Sequence, residues 1–187
     1  MTAQVRQTFV DLHNKFRSQV ALGRWPNGQR NPPLPQASNM RRMKWDNSLE
    51  NSAMARARLC SLNLAQVHLN ENLHVAALRP SFVMAADEAV TDWFDEIKAH
   101  GINQQVMYHI YLHNKPTACR GFLKAAWGKS YKLGCGIANC VAQSKTYVVC
   151  HYSPQGLIIG RHIYAVGPPC SRCGGYPCSP SVGLCQI

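Results

Sequence analysis

A chain of 187 residues with a formal net charge of +11 and nine cysteines fits one domain that buries roughly 70% of its unfolded surface. Its core needs neither metal nor cofactor to exist. No apolar run approaches the length of a membrane span, and nine cysteines in a small basic protein favour an oxidising compartment, the alternative being a cytosolic zinc protein. Cys170-x-x-Cys173 is the best case for zinc, but Cys178 and Cys185 are too irregularly spaced to complete a ribbon, so disulfides are the reading.

Met1-Thr-Ala-Gln carries no apolar signal-peptide core. Val5, Phe9, Leu12, Phe16 and Val20 recur at helical spacing, and Gly23 stands where a C-terminal cap belongs. Trp25 to Pro35 is a proline- and asparagine-rich loop. A second helix is predicted from an Asp46 or Ser48 cap through Leu49, Ala53 and Ala57 to Cys60, and a third from Ala85 to Ala99 with Val90, Trp93 and Ile97 on one face. A fourth opens at Pro116-Thr117 and ends by Gly128. Strands are predicted at 134–138, 146–152 and 161–166, the second stopped by Ser153-Pro154-Gln155-Gly156. From Gly167-Pro168-Pro169 onward the composition turns to cysteine, glycine, proline and serine, which cannot build a core and needs crosslinks. The predicted organisation is a domain over 1–167 and a stapled extension over 168–187. Helices before and between antiparallel strands make an α+β fold in layers rather than a barrel.

All nine acids lie at or before Glu96, whereas nine of the twenty Lys and Arg follow it. Such asymmetry marks either an anionic partner or a solubilising surface. Lys124, Lys129 and Lys132 are the candidate basic surface. There is no Asn-x-Ser/Thr sequon, and neither Arg-Gly-Asp nor Lys-Gly-Asp occurs.

Trp127, Ser130, Gly134-Cys135 and the Cys150-His-Tyr-Ser-Pro-Gln-Gly156 turn resemble a signature of the CAP superfamily, the cysteine-rich secretory, antigen 5 and plant pathogenesis-related proteins. His13-Asn14, Arg17-Ser18, Met43-Lys44-Trp45-Asp46, Glu71-Asn72-Leu73 and Trp93-Phe94-Asp95-Glu96 fall in the family's order, so the resemblance runs from about Phe9 to Cys185. Ala21-Leu22-Gly23 and the Cys170-Ser-Arg-Cys173 tail resemble the nematode Ancylostoma-secreted-protein type, which includes hookworm inhibitors of neutrophils and platelets. The resemblance implies an α-β-α sandwich with an antiparallel sheet between helices. It also implies bridges Cys60–Cys140, Cys135–Cys150, Cys170–Cys178 and Cys173–Cys185, a connectivity that one sequence cannot derive. Cys119 is left over, as a buried free thiol or a bridge to a second chain, the thiol being the simpler reading.

The family cleft implies two histidines and two glutamates, in several members around a divalent metal. Glu71 and Glu96 carry over. The histidines do not: Leu64 follows Cys60-Ser-Leu-Asn63, and Gly121 stands at the second position, with Lys124 in place of a glutamine. A gap would bring His68 into the first. His109 and His113 have the spacing of a metal pair but no adjacent acid. These residues imply a vestigial cleft with no catalytic group, no metal and no cofactor. The expected protein is a secreted, non-enzymatic one that binds a host cell-surface or plasma protein. A sulfated polysaccharide is a second candidate partner, and no nucleic acid partner is predicted. Lipid or sterol carriage through Leu73–Phe82 or Ile102–Leu112 is the competing function, with metal-dependent hydrolysis disfavoured.

Overall fold

Thr2 starts helix α1 (Ala3–Ala21) by accepting the Val5 amide on its hydroxyl, and the helix turns Val5, Phe9, His13, Phe16, Arg17 and Val20 inward. The computed structural model describes residues 1–62 and 70–187. Gly23 ends the first helix with φ 69°, a left-handed conformation that costs a side-chain-bearing residue more than glycine. Strand β1 (Lys44–Trp45) leads into α2 (Asn47–Ala57), whose N-cap Asp46 accepts the Ser48 and Leu49 amides. Then follow β2 (Glu71–Ala77), α3 (Phe82–His100), β3 (Met107–Tyr108), α4 (Ile110–Asn114), α5 (Arg120–Ala125), β4 (Lys132–Cys140), β5 (Lys145–Ser153) and β6 (Arg161–His162).

The main sheet has the order β1-β4-β5-β2, with β5 antiparallel to both its neighbours and β1 parallel to β4. β3 and β6 form a separate antiparallel ribbon. Helix α2 lies on one face of the β4–β5 pair, where Ala53 and Ala57 pack on Val149. It comes so close that a Cβ on Gly134 or Gly136 would overlap the α2 backbone. Helices α1, α3 and α5 cover the other face around Phe9, Phe94 and Phe122. The result is the three-layer α-β-α sandwich.

Several boundaries differ from the sequence reading. Strand β2 falls where no element was predicted, because Glu71 to Ala77 owes its form to residue-for-residue pairing with β5. The fourth helix is confined to 120–125, since Pro116 and Thr117 form an exposed turn and Cys119 leaves helical geometry. The strand predicted over 161–166 shrinks to Arg161–His162, because its partner β3 offers only Met107 and Tyr108 for pairing.

Four bridges join Cys60–Cys140, Cys135–Cys150, Cys170–Cys178 and Cys173–Cys185, the pairs implied by the resemblance. Cys119 is a buried thiol, pushed up to about 12 by burial and then by the Glu96 charge. The tail has no helix or strand of its own. It is anchored by buried Leu184 and Cys185 and by backbone bonds from Cys185 to Met40 and from Arg42 to Cys185. Among the described residues, no helix is long and apolar enough to cross a membrane.

Candidate functional site

Register brings the first half of the cleft together. Glu71 opens β2 opposite His151 of β5, and its carboxylate is fully buried. Oε1 accepts from Arg56 Nε at 3.2 Å and Oε2 pairs with His151 Nε2 at 2.9 Å. Arg56 comes from the last turn of α2 and also donates to the Ser61 carbonyl at 2.9 Å. His151 Nδ1 lies 2.7 Å from Ser52 Oγ, one helical turn before Arg56. Together they clamp α2 to the sheet edge.

Ser52, His151 and Glu71 stand in the order of a nucleophilic triad. Two features of their setting differ from that of a free triad. Glu71 is shared, with Arg56 on Oε1 and His151 on Oε2. Ser52 sits within a regular helix, its hydroxyl shared between His151 Nδ1 and the Leu49 carbonyl at 3.0 Å.

The second half comes from α3 and α5. Glu96 Oε2 accepts the amides of Gly121 at 2.7 Å and Phe122 at 3.3 Å. Burial raises its pKa, against the pull of those two amides. A Cβ on Gly121 would overlap the Glu96 carboxylate, so the space where the family histidine begins is filled by that carboxylate.

Lys124 corrects the sequence reading. Expected on the basic surface, it is half-buried, and its ammonium donates to the Glu71 carbonyl. Burial pushes its pKa down to about 8, while the Glu96 and Glu71 charges oppose the shift. The cause is helical phase, since Lys124 lies one turn after the two amides that hold Glu96. Lys132 is also engaged, pairing at 3.1 Å with Asp46. The Asp46 carboxylate is held down to about 2, chiefly by Ser48, then by the Leu49 amide and Lys132. Lys129 remains exposed. His68 lies outside the described residues.

Beneath the cleft runs a buried chain of polar groups. Asn72 Nδ2 donates to the Gly121 carbonyl at 2.9 Å and to the Tyr152 hydroxyl at 3.1 Å. That hydroxyl meets His13 Nε2 at 3.0 Å, and His13 Nδ1 meets the Phe9 carbonyl at 2.7 Å. Burial takes the His13 pKa down to about 3, so the ring is neutral. The carbonyl can only accept, so Nδ1 carries the proton and Tyr152 donates to Nε2. The same burial raises the Tyr152 pKa, which keeps the donor protonated.

The described cleft residues do not suit a divalent metal. Both carboxylates already have internal partners, and the Lys124 ammonium already sits in the field of both charges. His109 caps α4 by accepting the Leu112 amide, and His113 pairs with the Tyr108 hydroxyl, so they form no metal pair. Sequence reasoning named His13 and the histidine after Cys150 only as parts of motifs, and it missed Ser52 and Arg56 altogether. Only the small, helix-spaced Ala53 and Ala57 beside Arg56 hinted at the latter, since strand register is invisible in one chain.

Comparison with known proteins accounts for this arrangement. The family model described as the cysteine-rich secretory protein family matches residues 10–152. The Ancylostoma secreted protein of Ancylostoma caninum is 35% identical over the whole chain, which spans 45% of that relative's length. Among solved structures, NaASP2 with Zn2+ superposes with a TM-score of 0.89 at 31% identity, over 99% of this chain and 96% of that one. A hookworm platelet inhibitor superposes with a TM-score of 0.75 at 29% identity, over 100% and 92%. A match over most of the chain, the sandwich and the bridges agree: the chain belongs to the cysteine-rich secretory protein, or CAP, family.

Proposed function

We propose that this is a secreted, non-enzymatic protein that binds an extracellular protein of a host, on a cell surface or in plasma. The observation that carries the reading is the engagement of every cleft carboxylate by an internal partner: Glu71 by Arg56 and His151, and Glu96 by the amides of Gly121 and Phe122. A catalytic acid or base needs a proton it can exchange with substrate, and these groups are held instead as framework. Four bridges fit an oxidising compartment, and they hold the loops rigid, which lowers the entropy cost of association. Likeness to a hookworm platelet inhibitor favours a blood-cell target. Without an Arg-Gly-Asp or Lys-Gly-Asp tripeptide, contact with an integrin would use another surface.

Labelled protein should bind platelets or neutrophils saturably, be displaced by unlabelled protein, and reduce their adhesion, with no change on adding EDTA. Absence of saturable binding to both cells and to plasma proteins would sink the reading. So would a hydrolytic turnover lost in a folded Glu71→Gln variant.

A groove of about 840 Å³ between α1 and α3, floored by Leu12, Val83 and Met84, is the feature that favours lipid carriage. Asp11, Asp87 and Glu88 also line it, and Arg79 there is paired with Glu88 at 2.7 Å. A fatty-acid carboxylate would meet like charge, so this is the weaker reading.

A further inference from the structure

Three depressions adjoin on one face of the molecule, with volumes of about 440, 320 and 170 Å³. Lys129 is shared by the first and third, His162 by the first and second and Arg172 by the second and third, so each depression borders the other two and together they form one grooved cationic surface. Arg41 and Arg161 complete its cations, and Tyr176 adds a half-exposed ring. No Asp or Glu lines any part of it. Among the described residues, no carboxylate pairs with Arg41, Lys129, Arg161 or Arg172, in contrast to Arg6, Arg56, Arg79, Lys98 and Lys132.

The fold gathers these cations from four distant segments and holds some of them in place. Arg41 donates to the Lys129 carbonyl at 3.0 Å and lies over the Tyr131 ring. Arg172 sits between Cys170 and Cys173, which belong to different bridges, and its amide donates to the Ser38 carbonyl at 2.9 Å. Packing like charges together without acids raises the energy of the free protein, and a polyanion relieves that repulsion.

We infer that this groove is a binding site for a linear sulfated polysaccharide. Four cations spread over three adjoining depressions suit a chain with repeated sulfates rather than a single anion. Arg41 is already held in place, while Lys129, Arg161 and Arg172 are exposed and able to turn to successive sulfates, so that binding releases the polymer's condensed counterions. The disulfide framework places the protein where such glycans, rather than nucleic acids, are the polyanions it meets. The site is separate from the cleft and independent of the host-protein reading. Of the lysines that the sequence nominated, only Lys129 belongs to it.

The decisive comparison is between two double variants of equal net charge. Arg161→Ser/Arg172→Ser removes groove cations whose side chains make no hydrogen bond or ion pair among the described residues. Arg58→Ser/Lys145→Ser removes exposed cations at the far end of the β4–β5 hairpin, about 26 Å along the strands from its Lys132 end. Binding of a size-defined heparin oligosaccharide at physiological salt should weaken roughly ten- to thirty-fold in the first variant and by less than about three-fold in the second. The wild type should also leave heparin resin at higher salt than a sulfopropyl exchanger. Equal losses in the two variants, release at no higher salt than from the exchanger, or tighter binding of a single-stranded oligodeoxynucleotide than of the heparin oligosaccharide would each overturn the proposal.

Discussion

His13 shows how much a single buried residue contributes here. It is fully buried, neutral and fixed in one tautomer by Phe9 and Tyr152. Its pKa is about 3 in the folded protein against about 6.5 unfolded. Between those values the unfolded chain takes up a proton that the folded one refuses. The stabilisation is therefore complete above about pH 6.5 and is lost as pH falls toward 3, at about 1.4 kcal/mol per pH unit. Urea titrations from pH 7 to pH 4 should show this slope in the wild type and its loss in His13→Gln, and parallel curves for the two proteins would refute it. The sequence placed His13 on the first helix within a family motif, but not its burial or its link to Tyr152, 139 positions away. Lys124 makes the same point in reverse. Its type suggested surface, yet helical phase and the two carboxylates draw it inward.

At the level of elements, the glycines of β4 decide how α2 is seated. Gly134 and Gly136 lie on the strand face under α2, and a methyl group on Gly136 would overlap the Met54 backbone. The neighbour is main chain rather than a flexible side-chain end, so it cannot yield without moving the helix. Gly136→Ala is expected to cost about 3 kcal/mol and to disturb the clamp of Ser52, Arg56, Glu71 and His151 that depends on the α2 position. A midpoint of urea unfolding within about 0.5 kcal/mol of the wild type would contradict this. Helices α1 and α3 were legible because their apolar residues repeat at helical spacing. Strand β2 was not, because Glu71 to Ala77 mixes polar and small residues and owes its form to pairing with β5.

Over the whole molecule, crosslinks do what hydrophobic burial does not in the last twenty or so residues. The tail's buried anchors are Gly183, Leu184 and Cys185, and the Cys173–Cys185 bridge ties them to the segment that carries Arg172. Replacing both cysteines by serine should open 168–187 to proteases while the sandwich stays folded, and should move heparin retention toward that of a plain cation exchanger. Unchanged resistance to cleavage would show that the tail holds itself. Cysteine number, apolar spacing and ordered motifs determined the crosslinked tail, the layers and the family, because those signals reside in neighbouring residues or in residue type. The cleft and the cationic groove were decided only by tertiary structure. Register set Glu71 beside His151, helical phase turned Lys124 inward, and folding gathered Arg41, Lys129, Arg161 and Arg172 from segments far apart in the chain, since charges act through distance in space and not through position in sequence.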